Sequence, residues 1–159
     1  WELLVDDNPL PAIMGRACYH PCERACNRGQ LDSAVSIHAV ERFLGDLALR
    51  EGWPLPPPAP PSRQQVLGIG AGPSGLSAAY HLRRLGHAVT LREAATLPGG
   101  MMRFGIPRYR LPREIVDGEI RRIVALGVEL ELARVDSASA VAEHRADAAR
   151  EQAAQAFVS

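Results

Sequence analysis

At 159 residues, 47% hydrophobic but only 5% aromatic, the chain has material for one modest core, much of it alanine. Its 18 basic and 18 acidic residues cancel, which excludes the basic excess of a nucleic-acid-binding surface. The acidic opening WELLVDDNPLP lacks the basic start of a secretory signal, and no apolar run reaches the ~18 residues of a spanning helix. The expectation is a cytoplasmic protein with neither a membrane nor a nucleic-acid partner.

Trp1 to Val5 reads as the tail of a helix whose start lies outside the chain, ended by Asn8-Pro9-Leu10-Pro11. ACYHPCERACNRG (17–29) follows and holds all three cysteines, Cys18, Cys22 and Cys26. Disulfides need pairs, so an odd number in a reducing compartment points to metal or redox chemistry. Between about Ser33 and Glu51, Val35, Val40, Phe43, Leu44 and Leu47 recur at helical spacing, with Glu41, Arg42, Asp46 and Arg50 on the other face. WPLPPPAPPS (53–62) has six prolines in ten positions, and the run predicts an extended, semi-rigid spacer between two units. The division is a helical unit over 1–52, a linker over 53–63 and a second unit over 64–132.

Past the spacer the pattern changes. QVLGI (65–69) reads as a short buried strand, SGLSAAYHLRRLG (74–86) as a helix capped by Gly86, and AVTLRE (88–93) as a strand. A segment rich in Gly and Pro occupies 94–112. REIVDGEIRRIVALG (113–127) is helical with Ile115, Ile120, Ile123 and Leu126 inward, and VELEL (128–132) alternates as a strand does. A small all-α unit followed by the start of a parallel α/β sheet is the predicted fold class. The alanine-rich residues 133–159 receive no assignment.

Gly70-Ala71-Gly72-Pro73-Ser74-Gly75 is a G-x-G-x-x-G placed between a predicted strand and a predicted helix. Gly70 suits the tight turn, Gly72 the approach of a pyrophosphate, and Gly75 close helix–strand packing. Pro73 fits the first helical turn, and the amides around Ser74 face the phosphates with the helix dipole behind them. Glu93, 18 residues after Gly75, is placed to accept from ribose hydroxyls and to repel a 2′-phosphate. FAD or NAD is therefore expected over NADP. A second pair, Gly99-Gly100, and the arginines Arg103, Arg108, Arg110 and Arg113 favour FAD, with Arg103 placed among its ligands; the alternative for these arginines is a solvated loop. For the cysteine stretch the residues alone also allow a zinc site of Cys18, His20, Cys22 and Cys26.

Three ordered motifs, NPLPAIMGRACYHPCERACNRGQLDSAVSIHAVERFLGDLA, VLGIGAGPSGLSAAYHLRRLGHAVTLREA and LPGGMMRFGIPRYRLPREI, resemble the small (beta) subunit of NADPH-dependent glutamate synthase and its relatives. Those relatives include the amino-terminal half of dihydropyrimidine dehydrogenase. The resemblance covers about residues 1–132. It implies an iron–sulfur domain carrying two [4Fe–4S] clusters, then an FAD domain interrupted by an NAD(P)H domain. It also implies electron delivery to a larger catalytic subunit or acceptor protein. Cys18 and Cys22 then serve one cluster and Cys26 the other, with further cysteines upstream, and Glu41 stands where the dehydrogenase has a glutamine ligand. No second G-x-G-x-x-G follows, so the chain reads as a fragment of an oxidoreductase or, alternatively, a non-catalytic dinucleotide-binding module.

Overall fold

A computed structural model describes residues 1–132, and Arg145 alone beyond them. The unassigned stretch 133–159 otherwise lies outside the described residues.

The first part is helical: α1 (Glu2–Asp7), α2 (Pro11–Ala17), the single turn α3 (Pro21–Arg24), a 3-10 turn at Asn27–Gln30, and α4 (Ile37–Glu51). Pro11 does not merely break α1. It opens α2 in the first turn, where its missing N–H costs nothing. The contact between α2 and α4 departs from the amphipathic reading. Gly45 and Ala48 of α4 are buried, whereas Val40 and Phe43 are 51% and 64% exposed. The reason is backbone proximity. A methyl group on Gly45 would lie 2.4 Å from the Ala12 nitrogen, and one on Gly15 would lie 2.5 Å from Arg42 Cα. Two glycines let the helices cross nearly backbone on backbone, so Gly45 and Ala48 form the buried centre, Leu44 and Leu47 are half-buried beside them, and Val40 and Phe43 lie outside.

The second part runs β1 (Gln65–Ile69), α5 (Pro73–Arg84), β2 (Ala88–Glu93), α6 (Gly100–Phe104), α7 (Arg113–Val124) and β3 (Val128–Leu132). The strands form a parallel sheet in the order β1-β2-β3, with Val66 opposite Val89 and Val89 opposite Val128. Along one face Val89, Leu91 and Val128 are buried beneath α5 and α7. The opposite face carries Arg92 paired to Glu131 at 2.6 Å and Thr90 bonded to Glu129 at 3.1 Å. β1, expected to be buried, exposes Gln65 and Ile69 and half-buries the three residues between them. Among the described residues it has a strand on one side only.

The proline run is not a free spacer. Leu55 is buried, Ala59 N–H donates to Arg84 O at 3.0 Å, and Ser62 N–H donates to Gly86 O at 2.8 Å. These bonds lay the run against the end of α5. One core passes through both parts, joining Val5, Leu10 and Ile13 to Leu76, Tyr80, Val116 and Ile123. Tyr80 Oη, buried within it, donates to Val5 O at 2.6 Å.

Candidate functional site

The glycine turn is built by close approach. Gly70 has φ +94, a conformation L side chains rarely adopt, and its N–H donates to Arg92 O at 2.7 Å. A methyl on Gly75 would sit 1.9 Å from Gly70 O, so only glycine lets α5 start this near β1. Gly72 caps α5 with Pro73 in its first turn, and Leu76 N–H returns to Gly72 O at 3.0 Å. The second pair closes onto the first. Gly99 N–H donates to Ala71 O at 2.8 Å, and a methyl on Gly100 would meet Gly72 Cα at 2.9 Å. Gly72 itself is open, since a methyl there meets nothing nearer than Gly100 Cα at 3.8 Å. The resulting cradle is walled by two backbone turns, with Ser74 in the first turn of α5.

Glu93 is engaged rather than idle. Its two carboxylate oxygens accept from Ala71 N–H at 2.7 Å and from Ala95 N–H at 2.8 Å. The acid thus braces the glycine turn, while each oxygen keeps a further lone pair able to accept a hydrogen bond.

Most of the arginines are also committed. Arg103 is buried and donates to Pro98 O at 2.5 Å and to Asp117. It joins α6 to α7 beside the cradle, where a methyl on Gly99 would lie 3.1 Å from its Cβ and 3.3 Å from its Nε. Arg113 donates to Ile106 O at 2.8 Å and to Leu111 O and Met102 O, folding the 102–111 segment around itself. Arg110 reaches the other unit, donating to Arg16 O at 3.4 Å with its guanidinium 5.8 Å from the Tyr19 ring centroid. Arg108 is exposed.

The cysteine stretch is looser. Cys18 ends α2, Cys22 lies on α3 and Cys26 opens the 3-10 turn. His20 takes the left-handed conformation at φ +44, its N–H donates to Cys18 Sγ at 3.3 Å, and its ring lies 4.8 Å from that of His38. Backbone N–H groups, first that of Val35 and then those of Arg28 and Gly29, point at Cys26 and lower its thiol below the ordinary value. Such donors stabilise a thiolate, the form that binds metal. Among the described residues no three His, Cys, Asp or Glu side chains gather into a metal-holding group. The zinc set of Cys18, His20, Cys22 and Cys26 is therefore not assembled, and the three cysteines do not form a complete site either. Glu41 accepts from Asn8 Nδ2 at 2.6 Å, which ties α4 to the end of α1 and takes up one of the acid's oxygens.

Sequence reasoning missed Glu119. It is wholly buried on α7 and accepts from Ala12 N–H at 2.9 Å and Ile13 N–H at 3.1 Å, at the start of α2. Its position between Val116 and Ile123, on the apolar stripe, was the available signal.

The profiles of known families divide the chain where the fold does, into an iron–sulfur domain followed by a Rossmann-like dinucleotide-binding segment. Residues 1–53 match the family profile described as dihydropyrimidine dehydrogenase domain II, 4Fe-4S cluster, and residues 69–125 match that of an NAD(P)-binding Rossmann-like domain. The chain is a relative of a set of oxidoreductases. It is 42% identical over 81% of its length to glutamate synthase [NADH] of Schizosaccharomyces pombe, of which it covers 6%. It is 38% identical over 81% of its length to the NAD-dependent dihydropyrimidine dehydrogenase subunit PreT homolog of Salmonella typhi, of which it covers 32%. A third relative, the NADPH-Fe(3+) oxidoreductase subunit beta of Geobacter sulfurreducens, is 38% identical over 81% of the chain, which covers 20% of it. The chain thus spans less than a third of the length of these proteins. Among the described residues no helix is long and apolar enough to cross a membrane.

Proposed function

We propose that this chain is the part of an oxidoreductase subunit that holds FAD at the glycine cradle and contributes Cys18, Cys22 and Cys26 to [4Fe–4S] clusters. Electrons come from NAD(P)H bound elsewhere in the full protein and leave toward a larger catalytic or acceptor subunit. A flavin accepts electrons in a pair and releases them singly, which is what joins a nicotinamide to a cluster relay.

The observation that carries this reading is the link between the two sites. The segment holding Gly99 and Gly100 is folded by Arg113 and then tied by Arg110 to Arg16 O and Tyr19, beside Cys18. A dinucleotide on the cradle and a cluster at the cysteine stretch would share one connected scaffold. Glu93 disfavours a 2′-phosphate, and exposed Leu97, Met101 and Phe104 flank the second glycine pair with apolar surface suited to a flavin ring. Each of the three cysteines supplies one thiolate, so the remaining cluster ligands belong to other segments or subunits.

Calorimetric titration of the purified chain with FAD, NAD and NADP tests the first half. FAD should bind most tightly, and Gly72→Val should weaken it more than tenfold by filling the pyrophosphate approach. Equal FAD binding by both proteins rejects the cradle reading. Anaerobic reconstitution tests the second half: labile iron well short of two clusters is expected, reduced by Cys18→Ala or Cys26→Ala. One tightly held zinc with no iron rejects it.

A further inference from the structure

A cavity of about 580 Å³ lies where the end of α4, the start of the proline run and one face of α7 meet. Leu49, Trp53 and Leu55 line it from the first two, and Gly118, Arg121 and Arg122 from α7. The two arginines are its only charged groups, and every other side chain in the lining is apolar. Neither arginine has an acceptor. Arg121 is exposed, and its side chain makes no hydrogen bond or ion pair among the described residues. The guanidinium of Arg122 is shielded from water, and none of its three nitrogens has a hydrogen-bond partner. The Trp1 ring covers it with its centroid 4.5 Å away. Trp1 is itself fixed, donating from Nε1 to Pro54 O at 3.1 Å and meeting Trp53 edge-on at 5.9 Å. Glu119, one turn earlier on α7, spends its oxygens on the Ala12 and Ile13 amides. A desolvated guanidinium with unused N–H donors is costly until an anion reaches it.

We propose that this cavity binds a small organic acid, its carboxylate held by Arg122 and Arg121 and its apolar body packed against Leu49, Trp53 and Leu55. The planar fork of a guanidinium matches a carboxylate, and two positive groups in an otherwise apolar lining fit one anionic head on an apolar body. The volume falls within the roughly 300–1,000 Å³ of small-ligand sites. A methyl on Gly118 would reach only the tip of Leu49, at 3.0 Å, so the absence of a side chain there keeps the space between α4 and α7 open. Such a ligand touches α4, the proline run and α7 together, and by mass action it stabilises the junction of the two units. None of its contacts belongs to the glycine cradle or the cysteine stretch, so the inference does not rest on the cofactor reading.

The chain has two tryptophans, one lining the cavity and the other stacked on Arg122, so intrinsic fluorescence reads the site directly. Octanoate titrated into the 159-residue chain should give a saturable change in emission and raise the melting temperature. Octylammonium, the same body with the opposite charge, should bind at least about tenfold more weakly, because it meets two guanidiniums. Arg122→Gln should weaken octanoate roughly tenfold and Arg121→Gln less, while Gly118→Leu should block the cavity and abolish binding. Octanoate binding that is matched by octylammonium, or that survives undiminished in Arg122→Gln or Gly118→Leu, overturns the proposal. So does the lack of any saturable change with octanoate, which would leave the cavity to a side chain from elsewhere in the protein. If circular dichroism shows that the variants do not fold, the two probes on the unaltered chain decide the matter. A preference for octanoate supports the site, and parity overturns it.

Discussion

The glycine cradle and the cysteine stretch belong to the same scaffold and are made in opposite ways. The cradle is assembled from backbone: Gly75 against Gly70 O, Gly100 against Gly72 Cα, Gly99 N–H on Ala71 O, and Glu93 bracing two amides. These contacts lie between residues 70 and 100, so the local sequence carries most of the geometry, with Arg103 and Val116 packed against Gly99 from beyond it. The cysteine stretch has a one-turn helix, a 3-10 turn and exposed Tyr19 and Leu31, at 79% and 84%. Its thiols are presented singly. A site made from backbone is complete when the chain folds, whereas one made from separate thiols is completed by its metal and by every ligand together.

The largest expected effect separates fold from ligand within the cradle. Gly75→Ala would force a methyl into contact with Gly70 O and should cost ~3 kcal/mol or more, lowering the melting temperature by about 10 °C. Gly72→Ala meets only Gly100 Cα at 3.8 Å and has φ −81, so its melting temperature should stay close to that of the unaltered chain. Thermal unfolding by circular dichroism measures both. Equal losses would mean that the two glycines do the same structural work, and that Gly72 is packed as tightly as Gly75.

The next effect tests the joint between the two regions. With Glu119 raised to about 7 in the folded protein from 4.5, the native state holds a proton that the unfolded chain has released. Its contribution is therefore fully present below pH 4.5 and is lost as pH rises through about 7. Other groups titrate as well, so the informative quantity is the difference from Glu119→Gln. Urea unfolding should show the stability of the unaltered chain falling relative to the variant by about 3 kcal/mol across that window. A difference that does not change with pH would show that the carboxyl is hydrated and that the joint is ordinary packing.

How much of this was legible in the sequence depends on whether the decisive contact was local. β1, α5, β2 and the cradle follow from a glycine fingerprint between two periodic segments, and the second helix–strand pair follows from Ile120, Ile123 and the alternation of VELEL. The helix α4 was predicted, but its buried face was not. Apolar periodicity points to Val40 and Phe43, while the helix packs through Gly45 and Ala48, because Gly15 meets Arg42 and Gly45 meets Ala12 only in three dimensions. Arg103 and Arg113 look like ligands for an anion when read along the chain. In the fold their partners are carbonyls and Asp117 brought back by the turn from α6 to α7. Glu119 was hidden for the same reason, since its partners lie 107 and 106 residues earlier.

The smallest effect concerns the most prepared of the three thiols. Cys26 is lowered from the ordinary value chiefly by the Val35 N–H, then by that of Arg28, with Gly29 adding to them and partial burial opposing. These donors come from the 3-10 turn and from the approach to α4, so they exist before any metal binds. Iodoacetamide alkylation followed by peptide mass spectrometry should give Cys26 a reactivity midpoint below the ~8.5 of a free thiol. Val35→Pro deletes the leading donor at a position 47% exposed, outside the described helices, so it should raise that midpoint without unfolding the chain. The shift expected is fractional, because the Arg28 and Gly29 amides remain. If the midpoint is ordinary in the unaltered chain, or indifferent to the proline, then Cys26 has no prepared thiolate cage. The cysteine stretch would then owe its whole geometry to the cluster and its other ligands, and its contrast with the self-assembled cradle would be complete.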